Sequence, residues 1–170
     1  MNRRSFLLAG SSLATGAFLP RLGAAEPATK TLVTGQTEAA AVGNEVLADG
    51  GNAVDAVVAA ALVAGVVAVA GTGIAGYGGH LVIAGLPRGK FAAIDFNGAA
   101  PAALKPDHFN ANDKGEVRGD VNTYGWLAVG VPGVPAGLQL ALDRYGTRKF
   151  PQLVKPAIRF ARDGFPVSKG

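Results

Sequence analysis

Between Gly50 and Pro101 the chain changes its hydrophobic rhythm three times, and each change predicts an element. From Ala53 to about Ala70 there is one charge, Asp55, and otherwise only Ala, Val, Leu and Gly. Apolar side chains therefore cover every side of one helix rather than a stripe, which describes an element enclosed by other structure. Asn52 is placed to cap this helix, because its side-chain oxygen can accept a hydrogen bond from an unpartnered first-turn amide. Asp55, three residues on, sets a carboxylate at the positive end of the helix dipole. The chain then spends five of the nine residues from Gly71 to Gly79 on glycine. HLVIAG, the turn LPRGK and FAAIDF follow, which read as two apolar strands in a hairpin.

The flanking segments are less apolar. Ala39 to Leu47 predicts a shorter helix that stops at Gly50 and Gly51, where glycine can take the left-handed conformation that closes a helix. Two helices joined by GGN make a helical hairpin. Pro101 to Asp120 is polar and punctuated, a surface excursion with a turn around NDKGE. Tyr124 to Val131 predicts a short strand. Pro132, Gly133 and Pro135 turn the chain into a helix from Ala136 to Tyr145, with Leu138, Leu142 and Tyr145 on one face and Gly146 as its stop. A last helix, from Pro151 or Pro156 to Asp163, is expected to set Ile158 and Ala161 against the core and to leave Arg159 and Arg162 on a solvated face.

The first residues read MNRRSFLLAGSSLATGAFLPRLGAAEPA. Arg3 and Arg4 before Ser5, Phe6 and Leu7, an apolar run to Leu19, and small residues at Gly23 and Ala25 match a twin-arginine export signal over residues 1–25. Residues 26–33 then form a linker, and the expected location is periplasmic or secreted. The apolar run is shorter than the roughly 20 residues that span a bilayer. The enclosed helix sits at the lower limit of that length, but Asp55 near one end and the lack of basic flanks argue against a stable membrane span.

Composition narrows the function classes. The formal net charge is +4, but Arg3, Arg4 and Arg21 lie in the export segment, which leaves 13 basic against 12 acidic side chains in the rest. With no basic cluster there, nucleic-acid binding has no support. Cysteine is absent, which excludes disulfides, thiolate metal sites and a cysteine nucleophile. The two histidines, His80 and His108, lack carboxylates at ligand spacing and read as structural or solvent-exposed, so no metal or other cofactor is implied. Gly71, Gly73 and Gly76 fit GxGxxG, with Asp95 at roughly the distance of a ribose-binding acid. A dinucleotide site needs a strand before that loop and a helix after it, whereas a long Ala-rich helix precedes this one and HLVIAG follows. Close packing of backbone on backbone is the expected use of these glycines.

The run GGNAVDA, an apolar helix, a Gly-rich loop, a strand, and AIDF followed shortly by AP resembles the gamma-glutamyltranspeptidase family of N-terminal-nucleophile hydrolases. VPGVPAGLQLALDRYG and PAIRFARDGFPV extend the resemblance in the same order, from Thr34 to the end of the chain. It implies an α/β fold, the N-terminal-nucleophile hydrolase αββα sandwich, of which residues 34–170 supply the N-terminal portion. It also implies catalysis by a threonine that self-cleavage exposes at the start of a second, small subunit. Its hydroxyl attacks a gamma-amide and its own amine acts as base. No threonine here lies in that cleavage context, Thr123 and Thr147 included, so catalytic residues are expected outside this chain, which alone should be inactive. The expected partners are the remainder of the large subunit, the small subunit with its threonine, and a small-molecule amide or gamma-glutamyl substrate of the glutathione type.

In the motif after AIDF the family typically carries Arg then Glu, and the resemblance assigns that arginine the alpha-carboxylate of the glutamyl group. Here Asn97 and Gly98 occupy those positions, the expected substrate-binding residues. A neutral amide replaces a fork that pairs with both carboxylate oxygens. The expected function is therefore an exported amide hydrolase or acyltransferase of this kind that cleaves a related amide, or gamma-glutamyl compounds with a cation supplied by another segment. The alternative is an inactive secreted binding or structural domain, or a degenerate remnant. A two-layer core with two strands leaves apolar faces open, and the end at PVSKG favours a fragment.

Overall fold

The computed structural model describes residues 36–68 and 71–167. The export signal, the linker and the last residues of the expected apolar helix, 69 and 70, lie outside the described residues. Helix α1 spans Thr37–Ala48 and α2 spans Ala53–Val67. Strands β1, His80–Leu86, and β2, Lys90–Asp95, form a two-stranded antiparallel sheet. After a long irregular stretch come α3, Val134–Tyr145, the single turn α4, Phe150–Leu153, and α5, Lys155–Asp163.

Helix α2 is the pivot. It packs on α1, α3, α4 and α5, and Val58, Leu62 and Val63 are wholly or almost wholly buried in the core they share. Ala39 and Val42 of α1, Leu138, Ala141 and Leu142 of α3, Leu153 and Ala157 close around them. The enclosure is incomplete: Ala61 is exposed, and Ala64 to Val67 are half-buried. The helix also ends sooner than the apolar run suggests. The Ala64 carbonyl, which accepts from the Ala68 amide at 2.9 Å, also accepts from the Thr72 hydroxyl at 2.8 Å, and the Ala68 carbonyl accepts from the Thr72 amide at 3.1 Å, so Thr72 is tied to the last turn of the helix. Among the described residues no helix is long and apolar enough to cross a membrane.

At its other end α2 carries a complete capping box. Asn52 Oδ1 accepts from the Val54 and Asp55 amides at 2.9 and 3.0 Å, and Asp55 Oδ2 accepts from the Asn52 amide at 2.9 Å. Both side chains also reach across the fold. Asn52 Nδ2 donates to the Tyr145 carbonyl at 2.7 Å, at the C-terminus of α3. Asp55, fully buried, accepts from the Thr147 hydroxyl at 2.5 Å and from the Thr147 and Arg148 amides at 2.9 and 3.0 Å. Burial pushes the Asp55 carboxyl up, but the bond from the Thr147 hydroxyl and those from the amides of Asn52, Arg148 and Thr147 together hold it below its ordinary value. The cap thus ties the α3–α4 connection to the start of α2. Asn52→Ala removes the cap and the Tyr145 contact together and should cost about 1–2 kcal/mol, read as a lower urea midpoint with unchanged slope.

Two predicted segments differ from expectation. Tyr124 to Val131 is not a strand: it holds a 3-10 turn at Trp126–Ala128, and only Val131 pairs, in a single bridge with Ala99. Gly125, at φ +86, and Gly130 interrupt the apolar run, and Trp126 is left 83% exposed. In the last helix the inward face is one residue out of phase with the reading above. Leu153 and Ala157 are buried and Phe160 half-buried, whereas Ile158 and Ala161 are exposed. Leu153, Ala157 and Phe160 keep helical spacing across the junction at Val154, so one face of α4 and α5 turns inward.

Candidate functional site

The sheet gives the site its frame. The register pairs His80 with Asp95, Leu81 with Ile94, Val82 with Ala93 and Ile83 with Ala92. Side chains alternate, so Leu81, Ile83, Ala92 and Ile94 share the face toward the helices, while His80, Val82, Ala93 and Asp95 share the other. Ile94 is buried, and Val82 and Phe91 are 68% and 74% exposed, which makes the outer face both apolar and open. His80 and Asp95 stand at the end of that face, and Asn97 follows two residues beyond Asp95.

These three side chains interact. Asp95 Oδ1 accepts from the Asn97 amide at 3.0 Å, a local bond that turns the chain out of the strand. Asn97 Nδ2 lies 3.0 Å from His80 Nε2, and His80 Nε2 lies 3.6 Å from Asp95 Oδ1. A carboxamide nitrogen only donates, so His80 Nε2 accepts from Asn97 Nδ2 in the tautomer that carries its proton on Nδ1. Sequence reading placed His80 with structural or solvent-exposed residues; the pairing across the strands makes it a neighbour of Asn97. His108 lies elsewhere, edge-on to Phe109 with ring centroids 4.9 Å apart.

The backbone under Asn97 is held by glycines. A Cβ on Gly78, at φ +104, would overlap the Phe96 carbonyl oxygen and come within 2.5 Å of Asn97 Cα. Gly133 meets the Phe96 carbonyl from the other side, and the Phe96 ring lies directly on Gly137 of α3. The Gly98 amide donates to the Tyr77 carbonyl, and Ala99 and Val131 exchange bonds of 3.2 and 2.8 Å. The turn of backbone on backbone expected of these glycines is made by Gly73 and Gly76, whose carbonyl and amide bond at 3.2 Å, while the close approach to another segment is made by Gly78. Nothing stands within 4 Å of where a Gly71 Cβ would be, and Gly73 and Gly76 face only each other. The loop lies between helix α2 and strand β1, the reverse of the dinucleotide order.

Beside Gly98 opens a groove of about 460 Å³, lined by Tyr77, Gly98, Leu104, Phe109, Leu127 and Val131 among others. Its size and apolar walls suit a small organic group. Of the two residues singled out from the sequence, Gly98 lines this groove, while Asn97 joins His80 and Asp95 at the sheet end. Glycines 78, 133 and 137 and His80 were not identified as site residues from the sequence. The signal for them lay in the recurrence of glycine just before β1 and at the start of α3. Thr147 is a partner of Asp55 in the core.

Residues 39–170 match the profile of the family Gamma-glutamyltranspeptidase. The chain is 41% identical over 139 residues to the glutathione hydrolase proenzyme of Pseudomonas sp. (strain A14), covering 82% of this chain and 24% of that protein. It is 39% identical over 138 residues to glutathione hydrolase 2 of Arabidopsis thaliana, covering 81% and 22%. Its fold superposes on the crystal structure of Helicobacter pylori gamma-glutamyltranspeptidase with a TM-score of 0.75 at 37% identity, over 85% of this chain and 40% of that one. The chain thus spans about a quarter of the length of the curated relatives it matches.

Proposed function

The chain belongs to the gamma-glutamyltranspeptidase family, and from that premise we propose that it forms one wall of the substrate pocket in an exported amide hydrolase or acyltransferase. The nucleophilic threonine comes from a small subunit outside these residues, and the remainder of the large subunit covers the open outer face of the hairpin. An enclosed core, an apolar sheet face with Val82 and Phe91 uncovered, and a groove beside Gly98 support this reading. They give a scaffold whose second layer is another part of the protein. The twin-arginine motif supports export before or with assembly.

The observation that carries the substrate assignment is Asn97. The position that the family resemblance gives to a carboxylate-gripping arginine holds a neutral amide, so the acyl group cleaved is one that lacks the alpha-carboxylate. Replacing a charge-assisted bidentate clamp by a neutral bond costs gamma-glutamyl substrates about 1–3 kcal/mol, or roughly 10- to 100-fold in kcat/KM.

Two measurements test this. Mass spectrometry of the protein expressed from its full reading frame should find two subunits, the smaller beginning with threonine. Asn97→Arg should then raise kcat/KM for gamma-glutamyl-p-nitroanilide by roughly 10- to 100-fold. A protein that stays in one piece would point instead to a binding domain. A processed enzyme indifferent to Asn97→Arg would place the carboxylate site elsewhere.

A further inference from the structure

We propose that the His80–Asp95–Asn97 edge selects an acyl group bearing an ammonium or a neutral hydrogen-bond donor where a gamma-glutamyl group bears its alpha-carboxylate, with His80 as the positioning residue that orients the Asn97 carboxamide. The inference rests on the reading above, that Asn97 faces substrate, and adds the class of substrate that the edge accepts.

Asn97 Nδ2 and His80 Nε2 lie 3.0 Å apart. One Nδ2 hydrogen is spent on the imidazole, and the backbone amide of Asn97 is spent on Asp95. What the residue presents freely is chiefly its carbonyl oxygen, to which no described side chain or backbone group donates. An acceptor in that place suits a donor on the ligand.

Charge points the same way. The Asp95 carboxylate is 71% exposed and lies 3.6 Å from His80 Nε2. The cations of the hairpin, Arg88 and Lys90, lie at its opposite end, in and beside the turn. The edge therefore carries the carboxylate of Asp95 and, among the described residues, no lysine or arginine, so it disfavours a carboxylate and attracts an ammonium. Were position 80 an apolar residue, Asn97 could rotate and offer both Nδ2 hydrogens to a carboxylate. With Nε2 as the acceptor, His80 engages one of those two hydrogens and leaves the Asn97 carbonyl oxygen outward.

The test compares 4-aminobutanoyl-p-nitroanilide with gamma-glutamyl-p-nitroanilide on the full-length self-processed protein; both carry the ammonium, and only the first, which lacks the alpha-carboxylate, can turn it to the carboxylate's place. In both, water adds to the acyl carbon and p-nitroaniline leaves. The expected ratio of kcat/KM favours the 4-aminobutanoyl compound by about tenfold or more. His80→Phe and Asp95→Asn should each reduce that ratio several-fold while hydrolysis of the 4-aminobutanoyl compound persists. His80→Gln, whose Oε1 can accept the same hydrogen, should restore most of it, a rescue that a purely structural role for His80 would not produce. A ratio near one or favouring the gamma-glutamyl compound, or one that His80→Phe leaves unchanged, overturns the inference while the enzyme class stands. Self-processing without cleavage of either compound overturns it too. A protein that never self-processes removes the functional reading beneath it, and mass spectrometry reports that independently of either substrate.

Discussion

Asp55→Ala is expected to lower the stability of the protein by about 3–5 kcal/mol, enough to consume much of a typical domain's stability. The carboxylate is fully buried and accepts from four groups: the amides of Asn52, Thr147 and Arg148 and the Thr147 hydroxyl. Removing it strands those donors away from water and also dissolves the capping box of α2. Urea unfolding followed by circular dichroism measures the effect; a loss below about 1 kcal/mol would mean that water or another side chain replaces the carboxylate. The same bonds fix the sign of a pH effect. The folded-state value lies below the unfolded one, so the contribution is fully present above about pH 4 and is lost as pH falls through the folded value. The acid limb of the stability curve should therefore be shallower in Asp55→Ala than in the parent protein.

Gly78→Ala should be of similar size, about 3 kcal/mol or more, and should act on the site as well as on the fold. At φ +104 any side chain is strained, and the Cβ would run into the Phe96 carbonyl oxygen and crowd Asn97 Cα. The β1–β2 edge would have to shift, and Asn97 with it. Hydrogen exchange at the Phe96 amide, which bonds to the Gly79 carbonyl at 3.0 Å, reports the local loosening, and urea unfolding reports the global cost. A variant of parental stability with unchanged exchange there would show that the loop relaxes without moving the site.

What could be read in advance follows the range of the interactions involved. The Asn52–Asp55 cap, the hairpin at LPRGK and the inward face of α3 are written in residues a few positions apart, and the sequence reading located each of them. The long-range half of the Asp55 cluster was hidden, because Thr147 lies 92 residues away and a capping carboxylate accounts for Asp55 without it. Apolar content suggested a strand at Tyr124 to Val131, yet the glycines within it and the lack of a partner beyond Ala99 give a turn. At the site, Asn97 stood out by contrast with a family motif, whereas His80 emerged only when the register placed it opposite Asp95. The glycines that clamp Phe96 could be counted in the sequence but not assigned, since what each meets is set by the tertiary fold.

The central place of α2 has a consequence for the order of events during synthesis. Its apolar surface is covered by α1, its immediate predecessor, but also by α3, α4 and α5, the last of which, Lys155–Asp163, is complete only about 100 residues later. At about 5–20 residues per second, the ribosome leaves this helix only partly sheltered for on the order of 5–20 seconds. A nascent chain that cannot yet close its core presents a long Ala- and Val-rich surface to the cytosol, where trigger-type holdases and proteases compete for it. The waiting time of one helix, and not only the final strength of its packing, then bears on how much of the chain closes its core before it is captured.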